Sequence, residues 1–142
     1  CSIIIIFKKM ITSEIIKIAS NTSNIGLTNK YTYKSTKKNS MCGDIIRIEL
    51  ITKNSKINSM KYEAESCVYC EASASLLAQK IKNLPVSIIK KELNKFKDGF
   101  SKDINFIFSK KFIDFKFLIN KNNKKRSNCI LLPIETVLKA FK

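Results

Sequence analysis

Histidine and tryptophan are both absent from this chain of 142 residues, and proline and glycine are scarce, at two and three. The missing imidazole removes Ser-His and Cys-His nucleophile pairs and every zinc site built on histidine, so hydrolytic chemistry would need another base. There is no Gly-rich phosphate loop, no internal repeat and no low-complexity linker. Apolar runs are short: Ile3 to Phe7, near the start, is far below the roughly 20 residues of a spanning helix, and no basic region precedes it as in a secretory signal. The expectation is a cytoplasmic chain that makes no membrane contact.

Arginine is nearly missing too, although the formal net charge is +16; all but Arg47 and Arg126 of the 27 basic residues are lysine. Clustered basic residues can dominate affinity for phosphates, which keeps a Lys-rich nucleic-acid-binding module as the competing class of function. Bidentate readout of phosphate and guanine favours Arg, however. The lysines also spread over every segment without forming one stripe with interleaved aromatics, so the charge reads as solvated surface that can steer an acidic protein partner.

A length of 142 residues suits one domain, able to bury roughly two-thirds of the surface its unfolded chain exposes. Met10 opens a plausible amphipathic helix, so residues 1–9 are expected to be a disordered lead and residues 10–142 a single domain, with no role for Cys1. Five cysteines in a reducing compartment point to ligands, reactive thiols or core filler rather than a disulfide framework.

The patterning predicts an α+β fold, a small three-stranded antiparallel sheet packed against several helices. A first helix is expected from Ser13 to Ser20, capped by Thr12 or Ser13, with Glu14 in its first turn and Ile15, Ile18 and Ala19 on one face. Strands are expected around Tyr31 and Tyr33, through Ile46, Ile48 and Leu50, and through Met60, Tyr62 and Ala64, with a turn at Lys53-Asn54-Ser55. Further helices are expected from Glu71 to Asn83 and from Pro85 to Phe96, followed by a break at Lys97-Asp98-Gly99. Phe106, Phe108, Phe112, Phe115 and Ile119 read as core, and Lys121 to Ser127 as a basic loop. Ile134, Val137, Leu138 and Phe141 mark a C-terminal helix with Pro133 in its first turn.

The chemistry lies in three separated segments: Cys42-Gly43-Asp44, Cys67 followed by Ala72-Ser73-Ala74-Ser75, and Cys129 ahead of the last helix. Three thiolates and one carboxylate form a four-ligand set suited to zinc or to an iron–sulfur cluster. Gly43 is expected to permit a tight backbone approach that lets Cys42 and Asp44 share one site. Cys67, Cys70 and Cys129 fall at expected helix starts, whose partial positive charge favours anions, and Arg126 adds charge beside Cys129. Cys67-Val68-Tyr69-Cys70 is a Cys-x-x-Cys pair in which Cys70 is an auxiliary ligand, a redox partner or core filler.

These segments, in this order, resemble the iron–sulfur cluster assembly scaffolds of the NifU N-terminal, IscU and SufU family. Asn21-Thr22-Ser23-Asn24-Ile25-Gly26 is similar to that family's Asn-Pro-Arg-Asn-x-Gly segment without its Pro and Arg, and Arg126 matches a basic position of the family. The resemblance implies a site of Cys42, Asp44, Cys67 and Cys129, possession of a [2Fe-2S] cluster, iron or zinc, and dealings with a cysteine desulfurase and with recipient apoproteins or cluster carriers. Asn128 stands where the IscU branch has a ligating His, and the long separation of Cys67 and Cys129 resembles the SufU branch. In a SufU-like protein Cys42 would accept persulfide sulfur on a zinc site, as a sulfurtransferase; in an IscU-like scaffold Cys129 would accept it. Either way the implied role is scaffold or sulfur acceptor rather than stand-alone enzyme.

Overall fold

The computed structural model describes residues 13–39, 43–102, 110–118 and 126–142. The expectations that fall on Cys1, Met10, Thr12, Cys42, Phe106, Phe108, Ile119 and residues 121–125 lie outside the described residues, as does the side chain of Glu14.

Three strands form one antiparallel sheet in chain order: β1 (Tyr33–Lys38), β2 (Ile45–Lys53) and β3 (Lys56–Glu65). Alternation places Ile46, Ile48 and Leu50 of β2, with Met60 and Tyr62 of β3, on the covered face, each at most 1% exposed. Asn54 and Ser55 close the β2–β3 hairpin with φ of 55° and 64°, the doubly left-handed turn whose twist suits a two-residue hairpin. The outer edge of β3 is protected at both ends. Gly26 N–H donates to the Tyr62 carbonyl and Tyr62 N–H to that of Asn24, while Ile57 N–H donates to Leu84. Thr28 and Asn29 are held by the buried Glu49 carboxylate, which accepts their backbone N–H groups at 2.7 and 3.0 Å.

Among the described residues, four α-helices accompany the sheet: α1 (Ser13–Ala19), α2 (Val68–Lys80), α3 (Val86–Lys102) and α4 (Ser127–Ala140), with a 3-10 segment at Lys110–Phe117. Helix α2 is central. Tyr69, Cys70 and all residues from Ala72 to Ala78 are buried in it, because alanines and serines let α1, α4 and β3 approach on different sides. The buried serines are satisfied by neighbours: Ser73 Oγ donates to the Ile130 carbonyl at 2.6 Å and Ser75 Oγ to that of Asn21 at 3.4 Å. Against β1 runs α4, tied by Lys37–Glu135 at 2.6 Å and by Tyr33 edge-on to Phe141 at 5.2 Å. The 3-10 segment contributes Phe112 and Phe115, the latter edge-on to Phe96 at 5.1 Å.

Three expectations are corrected. Helix α3 continues through Lys97-Asp98-Gly99 to Lys102: a helical Gly costs only about 1 kcal/mol relative to Ala, and Ile89, Leu93 and Phe96 anchor the helix through burial. Helix α2 starts at Val68, three residues ahead of Glu71, with Cys67 as its N-cap. Helix α4 starts at Ser127, which puts Pro133 in its interior rather than its first turn, and the missing N–H deprives the Cys129 carbonyl of its i+4 donor.

Candidate metal centre

The β2–β3 register sets up the site. Ile45 pairs with Glu65, so Asp44, one residue before β2, and Cys67, two residues after β3, leave the sheet at the same end. Helix α2 begins there, and the Ser73–Ile130 hydrogen bond holds α4 against it so that Cys129, in the first turn of α4, faces the same place. One carboxylate oxygen of Asp44 and the sulfurs of Cys67 and Cys129 all lie within 4.8 Å of one another. Asp44 and Cys129 are buried and Cys67 is half-buried, so the cluster opens to solvent on the Cys67 side.

Gly43 holds the approach to Asp44 with φ of 76°, and its N–H donates to the Asn39 carbonyl while Asn39 N–H donates back to Asp44. Nothing described lies within 4 Å of where a Cβ would stand at Gly43. The positive φ is itself a reason for glycine here, while the expectation that Gly43 lets Cys42 and Asp44 share one site involves Cys42, which lies outside the described residues.

The donor set fits a thiophilic metal. Asp44 Oδ2 is buried and has no hydrogen-bond partner among the described residues. Such an oxygen costs free energy until a donor or cation satisfies it, and two thiols beside it make that cation one that accepts mixed sulfur and oxygen ligands. Thiolates on a tetrahedral zinc at ~2.3 Å would stand ~3.8 Å apart, inside the observed spread. Cys42, the expected fourth ligand, lies outside the described residues. Cys67, Cys70 and Cys129 are thiols rather than disulfides. Cys70, fully buried in the core, is not in the cluster.

Two residues beside the site had no assigned partner in the sequence reading. Tyr69, in the first turn of α2, carries the Arg126 guanidinium 5.8 Å from its ring centre, joining the starts of α2 and α4. Burial pushes the Tyr69 hydroxyl above its usual pKa of 10.0, and the Arg126 charge opposes the shift. Ser73 is the other: its place in Ala72-Ser73-Ala74-Ser75 was visible, its bond to α4 was not.

A sheet of three strands, a buried small-residue helix and a thiol–carboxylate cluster drawn from three segments define a class, the α+β domains that gather sulfur and oxygen ligands at the starts of two helices. Residues 10–96 match the family model described as the NifU-like N terminal domain. The chain belongs to this family, that of the iron–sulfur cluster assembly scaffolds. The match ends before Cys129, so that residue's place rests on the fold. The fold is similar to a nitrogen-fixing NifU-like protein (N-terminal) from Brucella abortus, with TM-score 0.83, 18% identity, and 96% of this chain and 94% of that one covered. It is also similar to a putative iron-sulfur cluster assembly scaffold protein for the SUF system from Fervidobacterium islandicum, with TM-score 0.78, 22% identity and coverage of 95% and 98%. No curated protein matches the sequence. Among the described residues, no helix is long and apolar enough to cross a membrane.

Proposed function

We propose that the chain assembles a [2Fe-2S] cluster as cargo on Cys42, Asp44, Cys67 and Cys129, takes its sulfur from a cysteine desulfurase and passes the cluster to recipient apoproteins or cluster carriers. The observation that carries this reading is the convergence of Asp44, Cys67 and Cys129 within 4.8 Å, with a buried carboxylate oxygen that has no described donor. Thiolates hold the cargo firmly, and the single oxygen ligand is the exchangeable one, which suits a site that must let go. Residues 10–142 act as the single unit that does this.

A second reading draws on the SufU-like relative in the fold comparison and on Asn128, which offers no imidazole beside Cys129. Here zinc is held by the same four residues and Cys42 takes the sulfur: its thiolate attacks the outer sulfur of the donor persulfide, the S–S bond breaks, and the donor cysteine leaves as thiolate. In the cluster reading Cys129 is the acceptor.

The test is zinc, iron and acid-labile sulfide per chain in protein purified without oxygen. Matched iron and sulfide support the scaffold, about one zinc without sulfide supports the sulfur acceptor, and neither metal removes both. Occupancy must also drop in Cys67→Ala and Cys129→Ala; full occupancy in both would exclude the site.

A further inference from the structure

Cys70 is the cysteine among the described residues that the ligand cluster leaves unused. Its position is specific: Cys67 is the N-cap of α2 and Cys70 lies three residues on, in the first turn, where the Glu71 N–H already closes onto the Cys67 carbonyl at 3.2 Å. Cα atoms three residues apart along a helical turn stand about 5 Å from each other, inside the roughly 4.4–6.8 Å Cα span that a disulfide bridges. An N-cap side chain folds back over the third residue of its helix, and Cys67 commits no side-chain hydrogen bond to capping. Exposure differs in a useful sense. Cys67 is half-buried at the mouth of the site, whereas Cys70 is fully buried behind it, so reagents in solution meet Cys67 first.

We propose that Cys67 and Cys70 form an internal dithiol that reduces sulfane sulfur delivered to the site to sulfide. The proposal rests on the reading of this site as one that receives sulfur. Persulfide sulfur must gain two electrons to become the sulfide of a cluster, and a dithiol closing to a disulfide supplies two.

In the first step the Cys67 thiolate attacks the outer sulfur of a persulfide on Cys129, whose own sulfur is within 4.8 Å. The Cys129 sulfur–sulfur bond breaks and Cys129 leaves as thiolate. In the second step Cys70 gives up its proton and attacks the Sγ of Cys67. The Sγ–Cys70 bond forms, the bond to the terminal sulfur breaks, and that sulfur leaves with the electron pair and the proton as hydrogen sulfide. The two cysteines are oxidised to a disulfide and the sulfane sulfur is reduced. A dithiol reductant then reopens the pair and returns Cys67 to the ligand set, so sulfide release and ligand availability alternate.

The test uses the full chain, reduced and metal-free, mixed without other reductant with one equivalent of cysteine persulfide. Wild type is expected to release about one sulfide per chain, and its Tyr62–Lys80 peptide to carry a Cys67–Cys70 disulfide in mass spectra. Cys70→Ser and Cys70→Ala, the latter suited to the apolar position, are expected to keep the persulfide, release only background sulfide and bind zinc as wild type does. Sulfide release at the wild-type rate from both variants, or a wild-type peptide without the disulfide, overturns the proposal. If wild type neither binds zinc nor becomes persulfidated, the reading of the site falls and this proposal with it. If it does both while sulfide release ignores Cys70, only the dithiol is rejected.

Discussion

Asp44 is a stability liability in the metal-free chain, because its buried carboxylate oxygen, which has no donor among the described residues, forgoes water's hydrogen bonds and gains none from them in return. Removing it should raise the metal-free Tm by an amount corresponding to about 1–2 kcal/mol, while the stabilisation gained on adding zinc shrinks. Thermal melts of Asp44→Ala with and without zinc read both effects; a variant less stable when metal-free would mean that Asp44 is satisfied in solution. With the thiolates left in place, metal exchange should slow more than affinity falls. Glu71, in the first turn of α2, offers a pH test. Burial raises its carboxyl above the usual 4.5, so the folded chain holds its proton to higher pH than the unfolded chain does. Stability therefore declines as pH climbs from the unfolded value through the folded one. Glu71→Gln should melt with wild type below pH 4.5 and above it at neutral pH; parallel curves across the range would remove burial as the cause.

Helix α2 explains why a short motif needs two serines and two alanines: it is enclosed by α1, α4 and β3, and only small side chains with hydroxyls turned to neighbouring carbonyls fit that enclosure. Ser73→Ala should cost about 1 kcal/mol and lower Tm by about 3 °C. Ser73→Val should cost more by overpacking, and it should disturb zinc binding as well, because it displaces the helix that carries Cys129. An equal loss in the two variants would show that the packing there is slack. The strand pattern, the three antiparallel strands and the terminal helix could be read from alternation and from the spacing of Ile134, Val137 and Leu138, since burial on one face writes a period into the chain. Helix ends could not. Gly99 looked like a stop but lies in a helix held by Leu93 and Phe96. Pro133 looked like a first-turn residue but sits inside α4, where packing on β1 and α2 offsets its lost hydrogen bond. The candidate ligands Asp44, Cys67 and Cys129 could be singled out by type and order, whereas their convergence depends on the β2–β3 register and on the Ser73 contact, both of them long-range. The positive φ of Gly43 was not legible for the opposite reason: a backbone angle is a local property that no spacing reveals.

At the scale of the molecule, the charge of +16 is the property most exposed to solution conditions. Lys37 and Lys97 share Glu135, and Lys80 takes Asp114, but 27 basic residues face only 11 acidic ones. The compact chain holds this excess closer together than the unfolded chain does, so self-repulsion opposes folding, and salt relieves it by shortening the Debye length from about 30 Å at 0.01 M to about 8 Å at 0.15 M. Tm should therefore rise with sodium chloride over that range. The same salt should weaken association with an acidic partner protein, mainly through a slower on-rate, because the field that repels the chain from itself is the one that draws such a partner in. Melting curves and association rates taken at matched ionic strengths test the pair of effects together. A Tm that stays flat while association slows would place the excess lysines far enough apart to ignore one another yet on a single face that a partner meets, and self-repulsion would then be the term to discard.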